Sequence, residues 1–218
     1  LGVVVLASLV VAWVGGPGSG TANADFAIDK DAFSISNAPG WCFAMAAFSR
    51  WYYLTNNRGP ALRDAIDQEA QQRIARELQT FYSRNLVTVQ ANYCNRFHGN
   101  ESDCVKRLFQ GLTVGEPRLV LLMNKGLRGA ILHAVLAYGC DQERGILKIY
   151  DPNYCDQERI IELHKKEYTS LDITYNAICF PEVLHDNTAL LRKMEALYAA
   201  YAAKAPAPTP RVVHMRAQ

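Results

Sequence analysis

Three side chains, far apart in the chain, form a set that can do nucleophilic chemistry: Cys42, His133 and Asp151. Cys42 stands in the run Ser36-Asn37-Ala38-Pro39-Gly40-Trp41-Cys42-Phe43-Ala44-Met45. A thiol attacks carbon as thiolate, and an unperturbed thiol ionises only near pH ~8.5. A helix N-terminus and an adjacent imidazolium both favour the ionised form. Pro39 and Gly40 make a tight turn ahead of an apolar run, so Cys42 is expected in the first turn of a buried helix. His133 would take the thiol proton, and Asp151 would hold the imidazole in one tautomer and stabilise its charge. The oxyanion formed at an attacked carbonyl needs donors. The backbone N–H of Cys42 is one candidate, and the side chain of Asn37 is a second. Each residue also has an ordinary reading, as a small buried thiol, a core histidine or a turn-starting aspartate. It is the combination that points to chemistry.

The elements that must bring these residues together come in two blocks. The first is helical. Cys42 to about Leu54 is apolar and ends at Asn56-Asn57-Arg58-Gly59-Pro60. Leu62, Ile66, Ala70, Ile74, Leu78 and Phe81/Tyr82 recur at helical spacing and predict one long amphipathic helix whose stripe packs the core. A short helix is expected over Asp103 to Gln110. The second block has strand character: Arg118 to Met123, Ile131 to Tyr138, Ile146 to Tyr150, Ile160 to Leu163 and Ile173 to Phe180. A last amphipathic helix is expected over Asn187 to Ala202. Helices first and an antiparallel sheet second predict an α+β fold.

Strand register joins two members of the set. Asp141-Gln142-Glu143-Arg144-Gly145 reads as a turn, and His133 and Asp151 are equidistant from position 142. In an antiparallel hairpin they would face each other, with Cβ atoms about 5 Å apart. A slip of one residue would put them on opposite faces.

These blocks carry a resemblance. Gly40-Trp41-Cys42-Phe43-Ala44-Met45, His133-Ala134-Val135-Leu136-Ala137-Tyr138-Gly139 and Ile149-Tyr150-Asp151-Pro152-Asn153 together resemble papain-like cysteine peptidases. They are most similar to bacterial exported or toxin-associated members and to double-glycine leader peptidases. The resemblance runs from about Phe33 to Asn153. It implies a papain-like fold, with N-terminal helices carrying the Cys packed on a sheet carrying His and Asp. It implies Cys42 as nucleophile, His133 as base, Asp151 as orienting residue, a peptide or protein substrate and no cofactor. Such families place a Gln six residues before the Cys; here Ser36 occupies that position, with Asn37 beside it. Asn153 is a second candidate for the orienting residue, because papain relatives use Asn in that role. A thiol amidase or transacylase of the same fold, or a peptide-binding module without activity, would share these features.

The ends and the remaining cysteines bear on where such chemistry would occur. Leu1 to Val14 is apolar, Gly15-Gly16-Pro17-Gly18 breaks the run, and Ala22-Asn23-Ala24 precedes Asp25. This is the pattern of a secretory signal over residues 1–24, and it predicts a secreted or periplasmic protein. The run is shorter than the roughly 20 residues of a spanning helix, so a membrane anchor would need an uncleaved, longer segment. The domain is expected over residues 25–205, with a disordered Pro-rich tail over 206–218. A net charge of +2 gives no electrostatic reason for nucleic acid as a partner.

In an oxidising compartment, Cys94 and Cys104 are expected to bridge, with zinc binding alongside His98 as the alternative. Cys140 and Cys155 would lie at opposite ends of a hairpin strand, roughly 20 Å apart, which is too far for a bond. Cys179 is therefore expected to pair with one of them. His98, His164, His185 and His214 show no ligand spacing and read as surface or loop residues. Asn100-Glu101-Ser102 is a sequon that matters only in a glycosylating host.

Overall fold

The computed structural model of the chain describes residues 20–37, 40–56, 59–90, 101–124, 133–165 and 167–202, without the side chains of residues 101–104. Six strands form an antiparallel sheet: β1 (Thr21–Asn23), β2 (Arg118–Met123), β3 (His133–Asp141), β4 (Ile146–Tyr150), β5 (Glu158–Glu162) and β8 (Ala177–Cys179). The order is β5-β4-β3-β2-β8. β1 pairs with residues 139–141 of β3, on the edge where β2 pairs with residues 133–137. A separate two-stranded ribbon is made of β6 (Tyr168–Ser170) and β7 (Ile173–Tyr175). The helices include α1 (Ile28–Asp31), α2 (Cys42–Thr55), α3 (Leu62–Ala65), α4 (Gln68–Asn85), α5 (Glu101–Thr113) and α6 (Thr188–Tyr201). The class is α+β, as the order of patterns predicts.

The apolar runs of β2 and β3 serve two cores because successive side chains point to opposite faces. Leu119, Leu121, Ala134 and Leu136 join one core with α2, α4 and α6. Val120, Leu122, Val135 and Ala137 join a second, with Leu108, Phe109 and Leu112 of α5 and with Tyr168 and Tyr175 of the ribbon. A strand covered on both sides reads as a continuous hydrophobic run, and these do. Helix α2 is buried from Cys42 through Tyr53. Phe43 stacks on Tyr82 of α4 with ring centroids 3.7 Å apart.

Several expectations are corrected. The amphipathic stretch from Leu62 to Tyr82 is two helices, because Ile66 is extended and Asp67 caps α4, accepting from Ala70 N–H at 2.8 Å. Ile173 to Phe180 is two strands that serve different sheets. Asn176 separates them, its N–H donating to the Met123 carbonyl at 3.0 Å. His185, expected at the surface, is buried at 3 % exposure. Its Nε2 accepts from Leu119 N–H at 3.1 Å, and Arg118 lies 3.2 Å from its Nδ1. Burial and the nearby Arg50 and Arg118 charges push its pKa well down. Cys179 is disulfide-bonded while Cys140 and Cys155 are free thiols, so its bond is to neither of them. The expected Cys94–Cys104 pair, His98, His214, the sequon and the Pro-rich tail lie outside the described residues or side chains.

The boundary expected before Asp25 falls at the end of a built strand. Ala24 N–H continues the β1 pairing to the Tyr138 carbonyl at 2.7 Å, and Phe26 packs against Tyr53, Tyr138 and Tyr150. A Cβ at Gly139 would meet the side-chain Oδ1 of Asn23 at 2.2 Å, so the Asn23 side chain occupies the space that the glycine leaves. Among the described residues, no helix is long and apolar enough to cross a membrane.

Candidate active site

Cys42 is the first residue of α2, as its turn chemistry predicts. Gly40 has φ +82°, a conformation open to glycine at little cost, and it swings the chain into the helix. Trp41 provides the first helical carbonyl, which accepts from Met45 N–H at 3.0 Å. The first-turn N–H groups have no acceptor inside the helix. That of Ala44 is taken by Gln79 Oε1 of α4 at 3.2 Å. Cys42 itself is 9 % exposed.

His133 opens β3 and Asp151 follows the last residue of β4. Their contact exists, but not through the register expected. Near the turn, Asp141 pairs with Ile146, Cys140 with Leu147 and Gly139 with Lys148; beyond it, Ala137 pairs with Ile149 and Leu136 with Tyr150. Tyr138 is the extra residue of a β-bulge. Continuing the outer ladder sets Asp151 against Val135, two residues from His133 and on the same face. Without the bulge, the inner ladder would set Asp151 against Leu136, on the opposite face from His133. The bulge therefore decides that histidine and aspartate meet. They do so diagonally rather than directly across.

The resulting bond is short and dry. His133 Nε2 lies 2.7 Å from Asp151 Oδ1, with side chains 4 % and 0 % exposed. Asp151 Oδ1 also accepts from Asn153 N–H at 2.9 Å, and Oδ2 accepts from Tyr168 Oη and Ser170 Oγ, each at 2.8 Å. Burial opposes both charges. For Asp151, hydrogen bonds and charge from His133, with those from Asn153 N–H and Tyr168, outweigh burial and hold the carboxyl below its usual range. For His133, burial pulls downward, but hydrogen bonds to Asp151 and Cys42 and their charges raise it to about 9. With Nε2 engaged by Asp151, Nδ1 is the ring nitrogen left for the Cys42 thiol. The Tyr175 ring lies along the imidazole, with centroids 5.9 Å apart and planes 24° off parallel. Burial and the Cys42 and Asp151 charges raise the Tyr175 phenol to about 12.

Cys42, His133 and Asp151 are thus brought together. Asn37 is brought to the same place in a different posture from the one its expected role requires. Its Nδ2 donates to Asn153 Oδ1 at 2.6 Å, and its Oδ1 is buried without a partner. Asn153, the alternative orienting residue, has Nδ2 3.4 Å from His133 Nε2 and donates to Ser170 Oγ at 2.7 Å. The short bond to His133 belongs to Asp151. Two clefts of ≈ 280 and ≈ 250 Å³ flank Trp41, the residue before the thiol; both are lined by α4 side chains, Arg76 among them, and neither by Cys42.

Sequence reasoning passed over Tyr168, Ser170 and Tyr175. The ribbon that carries them turns through Leu171 and Asp172, with Leu171 at φ +53°. Two-residue hairpin loops with positive φ are usually marked by Gly or Asn, and this one is not. The remaining signal was alternation over three residues on each side. No group of three or more metal-ligating side chains occurs among the described residues. Comparison with family models, with curated proteins and with solved structures finds no match.

Proposed function

We propose that the chain is a cysteine hydrolase of papain-like type, cleaving peptide bonds through a thioester on Cys42. The observation that carries this reading is the dry 2.7 Å bond between Asp151 and an imidazole that the Cys42 thiol also influences, raising its pKa through hydrogen bonding and charge. A histidine held by a buried carboxylate and coupled electrostatically to a thiol at a helix start has the parts of an activated nucleophile.

In the reaction, His133 takes the thiol proton and the sulfur bonds to the carbonyl carbon. The carbonyl electron pair moves to oxygen, where the Cys42 N–H is a donor. The imidazolium then passes its proton to the leaving amine as the C–N bond breaks. Water, deprotonated by His133, adds to the thioester carbon. The carboxylic acid leaves and the thiol is restored. Asp151 stays ionised throughout and stabilises the imidazolium.

A second reading, a peptide-binding module without turnover, draws on one observation. The Asn37 amide that would serve the oxyanion is committed to Asn153. The two readings separate on labelling with iodoacetamide at neutral and mildly acidic pH, followed by peptide mapping. Selective alkylation of Cys42, lost in His133→Ala, together with peptide hydrolysis lost in Cys42→Ala, supports the enzyme. Cys42 as inert as Cys140 leaves the binding module.

A further inference from the structure

We propose that Tyr168 and Ser170 of the β6–β7 ribbon are positioning residues for Asp151, and that Asn153 extends their hold to Asn37 on the segment leading to Cys42. The inference deepens the reading above and rests on it. A carboxylate accepts about four hydrogen bonds and donates none. Asp151, with no exposure, has four: His133 and Asn153 N–H on Oδ1, Tyr168 and Ser170 on Oδ2. The bonds on Oδ1 alone would leave the far oxygen bare in a dry site. The two hydroxyls satisfy it and fix the rotation of the carboxylate, and with it the direction along which Oδ1 meets the imidazole.

The same logic sets the sense of every neighbouring bond. Ser170 has one proton, and at 2.8 Å from an acceptor-only group that proton points to Asp151. Its oxygen is then the acceptor for Asn153 Nδ2 at 2.7 Å. Asn153 consequently turns Oδ1 outward, where it takes the Asn37 amide at 2.6 Å. The charge on Asp151 thereby orients a chain of side chains running Asp151, Ser170, Asn153, Asn37. The last is separated from Cys42 only by residues 38–41. The ribbon also supplies Tyr175 against the His133 ring, so one small hairpin touches both the base and its orienting acid. Asn37 on this account is an anchor between the nucleophile segment and the acid.

The ionisable groups surrounding Asp151 are His133, Tyr150, Tyr168 and Tyr175, with Cys42 beside His133 and Arg159 of β5 beside Tyr168. Of these, Tyr168 is the one removed by the test. The variants are Tyr168→Phe, Ser170→Ala, their combination, and Ser170→Thr, which keeps the hydroxyl. The measurement is the rate of Cys42 alkylation by iodoacetamide from pH 4 to 9, with thermal melting alongside.

Losing both donors makes the buried carboxylate easier to protonate. The acid limb of alkylation is then expected to move upward by about one pH unit, a rate that is roughly tenfold slower only at pH values below both limbs. Each single variant is expected to move it part of the way, and Ser170→Thr to leave it in place. The single variants supply the same readout if the combination fails to fold. A purely structural role would lower the melting temperature and leave the limb where it was, and that result overturns this inference while the hydrolase reading stands. Unselective alkylation of the unmodified protein overturns the hydrolase reading itself, and this inference with it.

Discussion

Replacing Asp151 by asparagine separates the charge of the site from its shape. Asparagine is nearly isosteric, and its Oδ1 can go on accepting from His133 Nε2 and Asn153 N–H. Its amide protons would face Tyr168 and Ser170, whose hydroxyl oxygens can turn to accept. The hydrogen-bond count is kept and the negative charge is lost. His133 is held at about 9 against a burial that by itself would lower it, and Asp151 is the leading cause of the rise, ahead of Cys42.

Without that charge, His133 is expected to titrate at or below its ordinary value of about 6.5, a fall worth about 3 kcal/mol. Such a fall removes about three quarters of the imidazolium at pH 7, and Cys42 alkylation should slow by at least about fourfold there. The assay is the imidazole proton shift of labelled histidine against pH, assigned with His133→Gln and paired with the alkylation rate. A His133 resonance that still titrates above pH ~8 in Asp151→Asn would refute the electrostatic reasoning. So would one that titrates near 6.5 in the unmodified protein.

Stability should follow the same pair. The raised His133 contributes stability that is full below about pH 6.5 and is lost as pH rises through about 9. The lowered Asp151 contributes stability present above about pH 4 and lost as pH falls through its folded value. Melting temperature is therefore expected to peak between about pH 4 and 6.5 and to drop by roughly 8 °C toward pH 9.5; a flat profile over pH 6 to 9.5 contradicts this. Gly40→Ala meets no atom within 4 Å of its new Cβ, so only the positive φ is penalised. A cost of about 1 kcal/mol in denaturant unfolding is expected, and a cost several times larger would mean that the turn is held by contacts instead. A chain beginning at Asp25 loses the β1 pairing and should be less stable by about 2 kcal/mol. Amide exchange at Tyr138 and Cys140 reports it, and unchanged protection there would show that β1 contributes nothing.

Much of the site was legible because its signals are local. Pro39-Gly40 before an apolar run marks a helix start, and α2 begins at Cys42. β2 and β4 have the bounds of their apolar runs. The meeting of His133 with Asp151 was anticipated from a symmetric hairpin, whereas the actual ladder is offset by an even step. An even step preserves the face, so the contact survived a wrong register. Had the offset been odd, the same reasoning would have failed.

What the sequence by itself determined is the stock of reactive groups, the helix that presents the thiol and the α+β order. These follow from side-chain period and turn chemistry within a few residues. Only the tertiary structure decided the bulge at Tyr138, the ribbon that fills the far side of Asp151, the burial of His185 and the commitment of Asn37 to Asn153. Each of these is a pairing between groups distant in the chain, chosen by which buried donors and acceptors must be satisfied together. No local pattern in Tyr168 or Ser170 records that a carboxylate needs them.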